Sequence, residues 1–217
     1  MEIKSQHIEI EKHPLEPFLP ENAKLLMLGS FPPPKARWSM EFYYPNLQND
    51  MWRIYGLLFF GDKDYFLEKG KKAFSRERLV AFLEETGVAL FDTAMEVIRQ
   101  RGNASDQFLE IVTPVDLDAV LKRIPKCKAI VTTGQKATDT LLALVGAENP
   151  KVGGFSDFEY KDKVFKKGIN IYIGQNHCHE VINTYRHHKQ YDMITLSGYN
   201  NINEVLKYMK KNVYIDK

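Results

Sequence analysis

The feature that most constrains this chain is a short apolar run that ends in a glycine and is soon followed by three consecutive prolines. Residues 24–28 read Lys-Leu-Leu-Met-Leu, and Gly29-Ser30-Phe31 leads into the prolines at 32–34. Proline fixes φ and has no N–H, so this run cannot continue as a helix or a central strand. The pattern predicts a buried strand that opens into a stiff loop. In open α/β sheets, ligands bind beyond the carboxyl ends of the strands, so a site is expected here.

The loop after the prolines is rich in aromatic side chains, namely Trp38, Phe42, Tyr43 and Tyr44. One interpretation is a small core beneath a long loop. The other is a slot in which a planar base, extruded from nucleic acid, stacks on aromatic faces at roughly 1–3 kcal/mol per base. The residues themselves leave both open.

The rest of the chain alternates strands with helices. After an extended arm over residues 1–23, strands are predicted at 24–28, 88–92, 128–132 and 169–173, and part of a hairpin at 158–165. Helices are predicted from residue 51 to Gly61, at 76–86, at 93–100 with Asp92 as N-cap, from the capping box at 113–116 to Arg123, from 135 to Gly146, and at 202–212. This alternation predicts an α/β fold with a parallel sheet covered on both faces.

Size and charge set broad limits on the class of protein. A chain of 217 residues is expected to form a single domain, and its net charge of +2 permits a nucleic-acid partner without indicating one. The two cysteines, Cys127 and Cys178, are too few for a disulfide framework and are expected to be free thiols in a reducing cytoplasm. No signal peptide or membrane span is recognised, so a cytoplasmic monomer without membrane contact is expected.

Histidines concentrate near the end of the chain, where His177, Cys178, His179, His187 and His188 could suggest zinc. The segment at 179–183 misses the His-Glu-x-x-His pattern because an asparagine stands at the second ligand position. Histidines that face DNA or make ordinary hydrogen bonds are the preferred interpretation, and no metal is expected.

Several motifs in order resemble the uracil-DNA glycosylase superfamily, and within it the hypoxanthine-DNA and mismatch-specific branch. They are Gly29-Ser30-Phe31-Pro32, the aromatics at 42–44, Asn49-Asp50-Met51-Trp52, the strand at 87–92, Gly102-Asn103-Ala104-Ser105-Asp106, and Thr133-Gly134-Gln135-Lys136-Ala137. The resemblance covers roughly residues 24–140.

The resemblance implies a three-layer α/β/α sandwich on a central four-stranded, mainly parallel sheet. It also implies hydrolysis of the N-glycosidic bond of a deaminated base, hypoxanthine or uracil, in DNA, without a cofactor. Asn49 stands at the catalytic asparagine and Tyr44 at the aromatic that stacks on the flipped base, while Gly29, Ser30 and Phe31 would border the base. From the residues alone, the favoured role of Asn49 is to cap the helix that follows it, and the two roles can coexist if the side chain faces the cleft.

The chain departs from the family in the second motif, after the strand at 169–173. The prolines and serines expected there are absent, and Asn176-His177-Cys178-His179 takes their place. His177 is the candidate for the family's histidine, and Asn176, His179 and Lys136 are candidate DNA contacts. Two alternatives stay open: a nucleic-acid-binding relative without activity, and a hydrolase of small-molecule N-glycosides.

Overall fold

A computed structural model of the chain describes residues 9–49, 51–100, 105–147, 155–160 and 163–170. Its strands are β1 (Ile10–Lys12), β2 (Leu25–Gly29), β3 (Val88–Asp92), β4 (Ala94–Arg99), β5 (Leu109–Pro114), β6 (Ala129–Thr132), β7 (Phe155–Tyr160) and β8 (Lys163–Asn170). Its α-helices are α1 (Met51–Phe60), α2 (Arg76–Thr86), α3 (Leu117–Arg123) and α4 (Gln135–Val145).

The central sheet has five strands in the order β3-β2-β6-β8-β7. The first four are parallel, and β7 joins the edge as the antiparallel partner of β8. The α/β class predicted from sequence is confirmed, whereas the sheet has five strands rather than four. Every residue of β2 and β3 is buried, as expected for parallel strands that are covered on both faces.

Helices α1 and α4 cover opposite faces of this sheet. The Tyr55 hydroxyl of α1 donates to Met27 Sδ at 2.8 Å, whereas the hydroxyls of Thr132 and Thr138 meet at 2.7 Å between β6 and α4. Thr132 pairs in register with Leu28, whose side chain points away from that of Met27 because successive strand residues alternate in direction. The described elements therefore form helix, sheet and helix layers.

A second sheet replaces the helix predicted at 93–100. Strand β4 pairs antiparallel with β1 and with β5, so Asp92 ends a strand and does not cap a helix. Its buried residues, Ala94 and Val97, pack with Leu109 in a small core of their own. The predicted helix was wrong because pairing with two strands outweighed a pattern that suits either structure.

Three further boundaries differ from the predictions. The arm expected over residues 1–23 contributes β1 and a bridge from Phe18 to Leu90. Pro114 ends β5, and Asp116 caps α3 by accepting from Ala119 N at 3.0 Å. The fourth parallel strand is β8 at Lys163–Asn170, earlier than expected at 169–173. The predicted helix at 202–212 lies outside the described residues.

Candidate active site

The carboxyl ends of three parallel strands meet at one edge of the central sheet. Gly29 ends β2 and pairs in register with Asp92 at the end of β3, and Thr133 follows β6 on the other side. Thr133 N donates to Leu28 O at 2.9 Å, which ties these two strand ends together. This is the edge where the sequence predicted a ligand site.

Gly29 is required by the close approach of a carboxylate. A Cβ at this position would overlap Asp92 Oδ1 and would lie 3.6 Å from the Tyr44 hydroxyl. Any side chain at Gly29 would therefore displace Asp92. Gly29 therefore lies between these two polar groups, and its predicted contact with a base stays a prediction.

Asp92 has a partner that the sequence did not reveal. His13 Nε2 lies 2.9 Å from Asp92 Oδ2, with both side chains almost wholly buried, and His13 Nδ1 lies 2.8 Å from Leu15 O. The imidazole also packs against Phe31 and Phe91 at centroid distances of 5.3 and 5.0 Å. A lone histidine in a proline-spaced arm carries no motif, so only the structure could identify this pair.

Tyr44 occupies the edge in a strained backbone conformation. Among the described residues it is the one non-glycine residue with positive φ, at 49°. Its hydroxyl lies 2.9 Å from Thr133 Oγ1, and its half-buried ring meets Trp52 edge to face at 5.7 Å. Burial, and secondarily the charge of Asp92, raises the pKa of the Tyr44 phenol, while the bond to Thr133 opposes that rise. The phenol therefore stays neutral.

The other loop aromatics have different roles. Phe42 and Tyr43 are buried in the main core, and Tyr43 O accepts from Trp52 Nε1 at 3.0 Å. Trp38 Nε1 donates to Pro33 O at 2.7 Å. The loop is thus part core and part site, and Tyr44 is the aromatic of this run that reaches the strand ends.

Phe31 lies at the junction of the two sheets. His13 meets its ring edge to face, and the Arg99 guanidinium lies over the ring at 5.7 Å. Arg99 also donates to Glu11 and to Pro32 O, so the start of the proline run is fixed to β4. The surroundings of Phe31 are consistent with a packing role, and its predicted contact with a base stays a prediction.

Ser30 connects β2 to a second carboxylate. Its buried hydroxyl donates to Asp106 Oδ1 at 2.8 Å. Asp106 Oδ2 lies 3.6 Å from the position of a Cβ on Gly134, next to the start of α4. Asp106 belongs to a motif that carried the family resemblance, so the sequence contained a signal for it, although no role had been predicted.

Asn49 lies just before α1, as predicted. Its Oδ1 accepts from Met51 N at 2.9 Å, which is the local cap that the sequence allowed as an alternative. Within the described ranges its Nδ2 amino group makes no hydrogen bond to another residue. The carbonyl side of this amide therefore holds the start of the helix, and the amino side has no partner in the part of the chain that the structure describes.

Of the predicted DNA contacts, Lys136 is described, and it lies half-buried in the first turn of α4. Its charge acts on Asp106, which places it near the same edge. Asn176, His177 and His179 lie outside the described residues, as does the rest of the histidine cluster. In the part of the chain that is described, no group of three His, Cys, Asp or Glu side chains could hold a metal ion.

Comparison with solved structures finds similar chains, one of which is named here. No family model matches the chain, and no curated protein matches it. A solution NMR structure of "a putative Uracil DNA glycosylase from Methanosarcina acetivorans" is 25% identical in sequence, covers 64% of this chain and 81% of its own, and superposes with a TM-score of 0.43. A TM-score at this level does not establish a shared fold, so function has to be inferred from the site residues. No helix in the described ranges is long and apolar enough to cross a membrane.

Proposed function

We propose that this chain is a DNA glycosylase that hydrolyses the N-glycosidic bond of a deaminated base, hypoxanthine or uracil, in DNA. The observation that carries the proposal is Tyr44, a bulky residue held at φ 49° with its hydroxyl anchored to Thr133. Such backbone strain costs about 1–3 kcal/mol and concentrates at functional sites. The ring lies beside the strand ends, where a flipped base would need an aromatic face.

Two further residues have the chemistry that recognition of such a base requires. Gly29 leaves the end of β2 without a side chain, and the Asn49 Nδ2 group can donate to a carbonyl oxygen. A donor at that position would stabilise negative charge as the base departs, which lowers the barrier of a glycosidic cleavage with an oxocarbenium-like transition state. We assign Asn49 to the leaving base, Tyr44 to stacking, and Lys136 to a phosphate.

His177 is proposed to act from the far side of the site, with Asn176 and His179 contacting DNA. These assignments rest on the family resemblance alone. Deaminated bases pair poorly, so their extrusion costs less than that of a normal base, and this favours them as substrates.

The decisive experiment is an abasic-site assay. Duplex and single-stranded oligonucleotides containing uracil, hypoxanthine or xanthine are incubated with the protein, and strand scission at the abasic product is measured against an undamaged control. We expect product from at least one deaminated base. Tyr44→Leu should weaken the reaction by about 1–3 kcal/mol of lost stacking. The matched variant Phe60→Leu, which removes a ring that is 42% exposed in α1, should keep the wild-type rate.

The hydrogen bond from Met51 N to Asn49 Oδ1 favours a second candidate, a nucleic-acid-binding protein without activity, because a capping role needs no substrate. Binding of the same oligonucleotides without abasic product would support that candidate. Hydrolysis of free nucleosides with no reaction on DNA would instead indicate a small-molecule N-glycoside hydrolase.

A further inference from the structure

Asp106 is a carboxylate at the strand ends for which the proposed reaction has so far given no task. It begins the 3-10 turn Asp106–Phe108, which directly precedes β5. Ser30, at the end of β2, donates to its Oδ1, and its Oδ2 points toward Gly134 at the start of α4. The carboxylate thus lies between Ser30 and the start of α4, with Oδ1 held by the Ser30 hydroxyl and Oδ2 near Gly134.

The charges around Asp106 oppose one another. Burial is the largest influence and raises the pKa of its carboxyl above the ordinary value, and the negative charge of Asp92 acts in the same direction. The Ser30 hydrogen bond, Lys136 and Arg99 act to lower it, without cancelling the rise. A carboxylate with a raised pKa is a better proton acceptor than an exposed aspartate.

The charged groups that act on Asp106 are Asp92, Lys136 and Arg99, and Asp92 is itself in contact with His13 through its Oδ2. The two carboxylates are therefore held by different partners. Asp92 is tied to a buried ring, whereas Asp106 is tied to a neutral hydroxyl.

Hydrolysis needs a group that accepts a proton from water, and Asn49 is poorly suited to that task. An amide is a very weak base, and its Oδ1 already accepts from Met51 N. Its remaining donors suit the departing base and not the attacking water. Another residue therefore has to accept the proton.

We propose that Asp106 is the general base of the reaction, with Ser30 as the residue that positions it; this inference rests on the proposed glycosylase function. A water molecule forms a bond from its oxygen to C1′ of the deoxyribose and gives a proton to Asp106. The C1′–N bond breaks, and its electron pair leaves with the base. Asp106 then returns the proton to the departed base or to solvent, so the sum is water plus nucleotide giving an abasic sugar and the free base.

The first test is single-turnover cleavage of a deaminated duplex by Asp106→Asn and by the control Asp139→Asn. Asp139 is an exposed carboxylate on α4, and its substitution removes the same charge. General-base catalysis contributes about 10²–10⁴-fold, so Asp106→Asn should lose at least about 10²-fold in rate, while Asp139→Asn should match the wild type. A wild-type rate in Asp106→Asn would overturn the inference.

The second test is the pH profile, which a purely structural role would not change. The wild-type rate should fall on the acid side as Asp106 becomes protonated, and this limb should be absent from any residual activity of Asp106→Asn. Ser30→Ala removes a hydrogen bond that lowers the pKa of Asp106, so its acid limb should move to higher pH while activity at alkaline pH is retained. If the acid limb of Ser30→Ala stays at the wild-type pH, the assignment is overturned. This test also decides the question if Asp106→Asn does not fold.

These outcomes separate the two proposals. Absence of abasic product from the wild-type protein on every substrate would reject the glycosylase function, and the role of Asp106 with it. Product from the wild type with unchanged rate and pH profile in the Asp106 and Ser30 variants would reject the role of Asp106 alone.

Discussion

Two aspartates lie at the same sheet edge, and their surroundings differ. Asp92 is almost wholly buried, meets His13 at 2.9 Å and presses against Gly29, so both of its oxygens are confined. Asp106 is half-buried, and within the described residues its hydrogen-bond partner is the Ser30 hydroxyl. The comparison teaches that an acidic side chain at a ligand-binding edge can be either a structural tie or a reactive group. The two residues differ in their partners more than in their positions, and the role proposed for Asp106 follows from that difference.

The largest expected effect is on the Asp92 side. His13→Ala would leave a buried carboxylate without its hydrogen-bond partner, which costs about 1.5–3 kcal/mol, and the space left by the buried ring adds to that loss. Urea unfolding should show this loss in the free energy of unfolding. Lys12→Ala, next in sequence, removes an exposed ion pair to Glu96 and should cost at most about 1 kcal/mol. Equal effects of the two substitutions would mean that Asp92 does not depend on His13.

A pair of glycine substitutions sharpens the comparison. Gly29→Ala should destabilise by about 1–3 kcal/mol, because its Cβ overlaps Asp92 Oδ1. Gly134→Ala meets no such overlap, since Asp106 Oδ2 lies 3.6 Å away, but its φ of 110° makes any side chain strained.

Double-mutant cycles distinguish these causes. Adding Asp92→Ala to Gly29→Ala should cost less than the sum of the single changes, because the overlap is relieved. Adding Asp106→Ala to Gly134→Ala should be additive, because the strain there lies in the backbone. Additivity in the first pair would contradict the crowding of Asp92.

A smaller effect is expected at Tyr44, which links the two regions. Tyr44→Phe removes the hydrogen bond to Thr133 and keeps the ring, so it should cost about 0.5–1.5 kcal/mol in unfolding free energy. Thr133→Val should produce a similar loss, and the double variant should add little. Strict additivity of the two would show that the 2.9 Å contact contributes nothing.

The smallest effect on stability is expected from Asp106→Asn, in contrast with its effect on rate. Burial raises the pKa of the Asp106 carboxyl, so the stability that this group contributes is present below the unfolded-state pKa and is lost as the pH rises through the folded-state value. The amide introduced by Asp106→Asn does not ionise, so the variant does not lose this stability as the pH rises. Thermal unfolding at neutral pH should therefore show a melting temperature equal to or above that of the wild type, and a clear decrease would assign Asp106 to the structural class with Asp92.

The sequence predicted the parts of the fold that depend on local pattern. The wholly apolar run of β2, the strand β3 and the glycine that ends α2 were all placed within about two residues. The helix predicted over β4 was wrong because β1 and β5, distant in sequence, determine its state. The capping box at 113–116 placed the start of α3 a few residues too early for a similar reason, since Pro114 ends an edge strand.

In the candidate site, too, the sequence predicted residues that lie in one local segment and missed a residue that a distant segment brings in. Gly29, Ser30 and Tyr44 were expected at the strand ends, and they lie there because a single continuous segment contains them. His13 could not be predicted, since it reaches Asp92 across 79 positions of sequence. The cap at Asn49 was predicted as an alternative. Only the structure shows that the Oδ1 atom of the amide accepts from Met51 N, while Nδ2 takes no part in that bond.

The pairing of β1 with β4 has a consequence for how this edge forms during folding. The parallel strands β2, β3 and β6 can assemble without residues 9–13, yet the carboxylate between them is then without its imidazole. Strand β1 is a three-residue edge strand with two exposed residues, and segments with few buried contacts open at a lower free energy than a core sheet. Amide hydrogen exchange should therefore find the Ile10–Lys12 strand opening before the central sheet, and a protein with that strand detached would keep its core while losing the geometry at Gly29.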